Sequence, residues 1–151
     1  MMQLKTFFVF IILIIMISSI NAIPTQLDKR TSDYKSCPKM EPLNVVTVPA
    51  DLVPNTKTSF TMSGKFEGQF TYNTKVEVSI MDEYWNFIYG FHGEGCPFES
   101  CPYDANKGFS ITVTADLKDL PKGYHIIVDI FLDYINEPNL PNACAWAQDD
   151  R

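Results

Sequence analysis

Apolar and polar residues alternate with a period of two along most of this chain. Phe109, Ile111, Val113, Ala115 and Leu117 are separated by Ser110, Thr112, Thr114 and Asp116, the pattern of a strand with one buried face. Val76, Val78 and Ile80 alternate in the same way with Glu77, Ser79 and Met81, and Phe60, Met62, Gly64 and Phe66 with Thr61, Ser63 and Lys65. Between Gly123 and Ile135, Ile126, Val128, Ile130 and Leu132 share one face. Ile127 and Phe131 join Asp129 and Asp133 on the other, so this strand is apolar on parts of both sides. Leu43 to Val48, Trp85 to Phe91 and Cys144 to Ala147 are shorter strand candidates. Turn signals punctuate the runs: Val53-Pro54-Asn55, Tyr72-Asn73, Asn106-Lys107-Gly108 and Leu120-Pro121-Lys122-Gly123. No apolar stripe repeats at i, i+3, i+4, i+7 for three turns. Six or seven strands between such turns predict an all-β fold, a two-sheet β-sandwich of immunoglobulin-like size.

The N-terminus follows a different rule. Lys5 precedes an apolar run of eleven residues, Phe7 to Ile17, followed by small and polar residues up to Ala22. That is the layout of a secretory signal peptide cleaved after Ala22, too short for the roughly twenty residues of a membrane span. Residues 1–22 therefore read as a signal and residues 23–32 as a leader or linker. Its Lys29-Arg30 pair serves equally as a propeptide processing site or as part of an exposed linker. The folded domain is expected over residues 33–151, secreted or in the lumen of the secretory or vacuolar pathway.

Export changes the meaning of the cysteines. Cys37, Cys96, Cys101 and Cys144 all lie downstream of the apolar block, and an even count behind a signal reads as a disulfide framework. Four cysteines allow three connectivities. Joining Cys37 to Cys144 would close almost the whole domain, a stabilisation of about 4 to 5 kcal/mol in the chain-entropy model. Joining Cys96 to Cys101 would add about 2 kcal/mol and act locally. Cys96 and Cys101 stand in a C-x4-C pair without an H-x3-5-H partner motif, so neither a metal nor a cofactor is expected.

Charge excludes further classes. The formal net charge is −6, and loss of the signal, whose one charged residue is Lys5, moves it to −7. An acidic chain without a basic cluster suits neither nucleic acid nor strong binding to anionic membranes. No catalytic motif is present: no G-x-S-x-G, P-loop, H-E-x-x-H or G-x-G-x-x-G. Asp82-Glu83 and Asp149-Asp150 are adjacent pairs that read as solvated charges. Aromatics crowd one region, with Tyr84, Trp85, Phe87, Tyr89, Phe91, Phe98 and Tyr103 close in sequence. Ordinary core filling accounts for each of these rings best, while their density beside a cysteine pair adds to the case for an apolar cavity; the missing catalytic motif reads as a binding protein.

Two blocks carry a likeness to a known family. Gly95-Cys96-Pro97-Phe98-Glu99-Ser100-Cys101-Pro102-Tyr103 precedes a strand that ends at Leu120-Pro121-Lys122-Gly123-Tyr124, and Ala143-Cys144-Ala145-Trp146 follows. In order and spacing this resembles the ML-domain lipid-recognition family. That family includes the Niemann-Pick type C sterol-transfer protein and the fungal phosphatidylglycerol/phosphatidylinositol transfer proteins. The four-cysteine set is more similar to the fungal branch. The resemblance covers Cys37 to Trp146 and implies a sandwich holding one lipid between its sheets, with no catalysis. It also implies the pairing Cys37–Cys144 and Cys96–Cys101. The chain departs from the family pattern in a final strand expected to be short, ending at Gln148-Asp149-Asp150-Arg151, and in a long turn-like segment from Asp133 to Asn142.

On this reading the cavity wall consists of Phe60, Met62, Phe66, Val78, Ile80, Phe87, Tyr89, Ile111, Val113, Ile126, Val128 and Ile130. Phe98 and Tyr103 stand at its entrance, where the family's mouth lies. Plain core packing explains the same inward positions of the wall residues. The expected partners are a phospholipid or sterol ligand and, transiently, a membrane, with the protein a monomer and no nucleic acid bound. The alternative is a secreted sandwich with a filled core that recognises a protein or glycan through its loops.

Overall fold

The alternating runs become strands in the computed structural model, which describes residues 33–96 and 101–149. In chain order the strands are β1 (Lys35–Ser36), β2 (Glu41–Pro42), β3 (Asn44–Val48), β4 (Lys57–Gly64), β5 (Gln69–Phe70), β6 (Lys75–Asp82), β7 (Phe87–Glu94), β8 (Tyr103–Asp104), β9 (Phe109–Asp116), β10 (Tyr124–Phe131) and β11 (Ala143–Asp149). A single 3-10 turn, Ala105–Lys107, follows β8. The seven longer strands are those expected from the pattern; β1, β2, β5 and β8 have two residues each, too few to show a period. The signal and leader, residues 1–32, lie outside the described residues, as does Phe98.

Two layers form the sandwich. One sheet has the order β1-β11-β10-β6-β7, with β2 also pairing with β11; the other has the order β3-β4-β9. A separate pair, β5 with β8, sits beside them. Strand β9 buries every second residue, Phe109, Ile111, Val113 and Ala115, and β4 answers with Thr58, Phe60 and Met62. Their outward faces carry hydroxyl ladders, Ser59 to Thr114 at 3.1 Å and Thr61 to Thr112 at 2.9 Å. In the larger sheet Val76, Val78 and Ile80 of β6 and Ile126, Val128 and Ile130 of β10 face them. Apolar residues occur on both faces of β10 because it is an interior strand whose outer face is also partly covered. Phe131 there is buried, with Tyr134 edge-on to its ring at 5.4 Å.

The last strand is longer than expected. β11 pairs with β10 in unbroken register from Ala143↔Ile130 to Asp149↔Tyr124, so Gln148 and Asp149 are strand residues. Its length is set by its partner, because Ala143, Ala145, Ala147, Gln148 and Asp149 are too small or too polar to mark a pattern. The segment after β10 is turn-like as expected. Both disulfides form: Cys37–Cys144 joins the start of the domain to β11, with Cα atoms 5.3 Å apart, and Cys96–Cys101 spans 5.7 Å.

β7 lies tight against the opposite sheet at Gly93. A Cβ at this position would overlap Cγ2 of Val113 in the opposite sheet, so only glycine fits. Gly93→Ala is expected to cost about 1–3 kcal/mol by overpacking, read as a lowered urea midpoint without a change in slope.

Candidate functional site

The two ends of the sandwich differ. β10 runs from Tyr124, opposite Asp82 and Asp149, to Phe131, opposite Lys75. Lys75 in turn faces Glu94, just before the bridged cysteines. The cysteine bridge and the β9–β10 turn therefore lie at opposite ends of the sheets, about 23 Å apart at the rise of a strand.

At the bridged end the aromatics are packed together. Phe70 stacks on Tyr103 with centroids 4.8 Å apart and contacts Phe66 and Phe109 at 5.7 and 5.0 Å. Tyr103 is thus half-buried against the core.

Most of the expected wall residues face the interior. Phe60, Met62, Val78, Ile80, Val128 and Ile130 are fully sealed, and Phe66, Ile111, Val113 and Ile126 are buried. Burial of this kind is equally the signature of a packed core. Tyr89 is half-buried at the edge. Phe60 meets Phe91 across the sheets at 5.4 Å, a pairing the expected wall omitted although Phe91 lies two residues from Tyr89 on the same face.

Phe87 does not join that wall. It is 60 % exposed, because the ladder between β6 and β7 slips at Ile80/Met81. Ile80 faces Tyr89, but Met81 faces Phe87, leaving Ile88 as an extra residue. A β-bulge of this kind re-aims every side chain beyond it, so Phe87 lies on the face opposite to Tyr89.

A cavity of about 420 Å³ opens at the β9–β10 end. It is lined by Leu52 and Pro54 from the β3–β4 connection, by Leu120, Pro121, Lys122 and Gly123 from the crossing between sheets, and by Tyr124 and Asp149 at the ends of β10 and β11. Both layers contribute, so the opening lies at their seam, and its volume is within the range of small-ligand sites. Leu52, itself buried, gives it an apolar wall. Towards this end of the interior lie two buried hydroxyls, Tyr34 and Thr58, without hydrogen-bond partners among the described residues. Such orphans are uncommon in folded proteins. Burial raises the Tyr34 phenol well above its usual range, with Tyr124 adding to the shift, so the hydroxyl stays a neutral donor.

A second cavity of about 460 Å³ adjoins the first and shares Lys122, Gly123, Tyr124 and Asp149 with it. Its remaining lining is polar: Glu83, His125 and Gln148. His125 is 4 % exposed and stacked beneath the Trp85 indole, with ring centroids 3.9 Å apart and planes within 10°. Trp146 stands 6.4 Å from the same imidazole, and Lys35 Nζ lies 5.2 Å over the Trp146 ring.

The β6–β7 turn projects beside this end. Asp82 organises it: Oδ1 accepts from the backbone N–H groups of Tyr84 and Asn86 at 2.8 and 2.9 Å, and Oδ2 accepts from Asn86 Nδ2 at 2.9 Å. Trp85 adopts a left-handed conformation, φ 66°, that turns the chain back. The result is a braced tip presenting Tyr84, Trp85, Phe87 and Ile88 to solvent. Hydrogen bonds from the Asn86 side chain and backbone hold the Asp82 carboxyl below its ordinary value.

One carboxyl on the outer face of the larger sheet, that of Asp129, titrates unusually. Asp129 is pushed up to about 6, first by burial and then by the charge of Glu77 opposite it. Glu77 in turn accepts from Ser79 at 3.1 Å and lies 3.7 Å from His92. A folded-state value above the unfolded carboxylate's means stability that is full below about pH 4 and lost as pH rises through about 6. The protein is therefore expected to melt higher at pH 5 than at pH 7.5. Asp129→Asn should flatten that slope, with a gain of about 2 kcal/mol at neutral pH, read by thermal melts across pH.

No family model matches this chain, and no curated protein matches it. Ten chains among solved structures are similar to it. One is chicken MD-1, in a crystal structure complexed with lipid IVa. It is 15 % identical with a TM-score of 0.46, and the likeness covers 77 % of this chain and 86 % of that one.

Proposed function

We propose that this chain is an exported lipid-binding protein, resembling the ML-domain family, that holds one phospholipid or sterol at the seam of its sandwich and carries it between membranes without chemistry. The observation that carries the reading is the apolar cavity between the β3–β4 connection, the β9–β10 crossing and the ends of β10 and β11. Moving a lipid's hydrocarbon from water into such a space is favourable by ~25 cal/mol per Å². The sealed centre around Phe60 and Met62 supports a guest at the β9–β10 end rather than along the whole interior or at the bridged end. Two disulfides suit an oxidising, secreted or lumenal setting.

The tip of β6–β7 gives the cavity a way to meet a bilayer. Tyr and Trp favour the boundary between headgroups and hydrocarbon, and the exposed tip stands beside the cavity. Transient docking there lets a lipid leave a membrane without crossing water. The test is transfer of a labelled lipid between neutral vesicles by the monomeric protein. Tyr84→Ser with Phe87→Ser is expected to slow transfer about tenfold, since each exchanged ring removes on the order of 1 kcal/mol of interfacial burial, while equilibrium capacity for lipid is unchanged. A tip that recognises a protein or glycan instead would leave transfer unaffected by these changes.

A further inference from the structure

We infer that His125 is a positioning residue for lipid transfer: its ring seats the Trp85 indole and so holds the β6–β7 tip in the shape that meets a bilayer. This role rests on the proposed docking of that tip and names what keeps it in place.

Two anomalies at this end of the sheet account for each other. Trp85 sits in the left-handed region at φ 66°, where glycine and asparagine fit and a bulky side chain is strained. A glycine would turn the chain there at lower cost, so the tryptophan is kept in place by its surroundings. His125 is the second anomaly. It alternates with the inward-facing Tyr124 and Ile126, so it points to the outer face of the larger sheet. A polar ring on that face would ordinarily reach solvent. His125 instead is buried, and its Nδ1 has no hydrogen-bond partner among the described residues. The indole laid flat over the imidazole explains both the burial below and the strained turn above.

The seat has a side and a second point of support. Trp146 stands 5.7 Å from the Trp85 ring at 58°, closing one flank. Beyond the bulge, the Phe87 ring lies back against Gly90. A Cβ at Gly90 would come within 3.3 Å of that ring and 3.1 Å of the Val78 carbonyl oxygen. The tip is thus braced from within by Asp82 and laid on the sheet at Trp85 and Phe87. Both rings keep half or more of their surface exposed. Such a tip is preorganised. A loop that orders itself only at the membrane loses part of its docking energy to side-chain and backbone entropy, whereas a seated one has lost that entropy on folding.

Trp146→Phe makes Trp85 the sole tryptophan, whose emission and quenching by acrylamide then report the seat. In that background His125→Leu keeps apolar bulk under the indole without a flat ring, and His125→Phe keeps both. His125→Leu is expected to red-shift Trp85 emission and to slow transfer of labelled phosphatidylcholine between neutral vesicles about threefold, the factor an aromatic stack carries. Equilibrium capacity for lipid should not change. His125→Phe should match its parent on every count. Thermal melts check folding, and His125→Met serves if the leucine variant does not fold. Combining His125→Leu with Trp85→Ala should slow transfer no more than Trp85→Ala alone, because the two rings act as a unit. Parent-like transfer in His125→Leu, equal slowing in His125→Phe, or additive losses in the combined variant would overturn the role. Slow transfer in Tyr84→Ser with Phe87→Ser but not in His125→Leu would remove the seat alone. Transfer indifferent to all of these changes would remove the tip from the docking reading as well.

Discussion

Leu120→Trp is expected to reduce lipid uptake about tenfold or more, the largest functional effect of any single change considered. Leu120 lies in the crossing from β9 to β10 and lines the apolar cavity with Leu52 and Pro54. Being half-buried, it can be enlarged outward without disturbing the sealed rows around Phe60. An indole there narrows the seam. One methylene of misfit in an apolar site already costs about 1–3 kcal/mol of binding. Ile135→Trp provides the control: this residue is 70 % exposed beyond the far end of β10, and uptake should match the parent. Equilibrium binding of a fluorescent fatty acyl probe to the three proteins measures both effects. Equal uptake by all three would place the ligand elsewhere.

The second large effect concerns stability. Replacing Cys37 and Cys144 together by alanine is expected to cost about 4 kcal/mol, because the bridge closes a loop of 107 positions in sequence and long loops gain most from closure. The loss should also be local. β1 pairs with β11 through only Lys35↔Trp146 and Ser36↔Ala145, and β2 through Glu41↔Ala143 and Pro42↔Cys144, so without the bridge little holds the first segment down. Hydrogen exchange should show early opening of residues 34–42, with β6 and β10 protected, while urea unfolding gives the total. Removing the Cys96–Cys101 bridge should cost about half as much or less, since it closes a loop of five positions.

The strands were legible because their chemistry repeats. Phe109 to Asp116 alternates perfectly and buries perfectly, and Val76 to Ile80 does nearly as well. What escaped was set by partners. Nothing in Trp85-Asn86-Phe87-Ile88-Tyr89 marks Ile88 as the doubled residue, yet that bulge decides that Phe87 faces solvent and Tyr89 the interior. The small side chains of Ala143, Ala145 and Ala147 carry little pattern, and β11 takes its length from β10. The aromatic crowding between Tyr84 and Tyr103 turned out to divide between two ends, part packed around Phe70 and part exposed on the β6–β7 tip.

The candidate site was less legible for the same reason. Leu120-Pro121-Lys122-Gly123 reads as a turn, and Leu52 and Pro54 as a loop; only the topology brings them to one seam. Gly123, at φ +66°, is the local signal that this turn is sharp enough to deliver Tyr124 into β10 directly beside the cavity. His125 reads as a residue beside a strand. Its stack beneath Trp85 depends on the left-handed turn at Trp85, which a tryptophan does not announce. Tyr34 and Thr58 are buried hydroxyls without partners among the described residues only once the sheets have closed over them.

One measurement bears on the central claim most directly. The protein purified from its own source, kept free of detergent, is weighed intact by native mass spectrometry and then extracted for lipid. A single added mass of one lipid per chain, lost in Leu120→Trp, is the expected result. A bare chain that also fails to take lipid from mixed neutral vesicles would contradict the account.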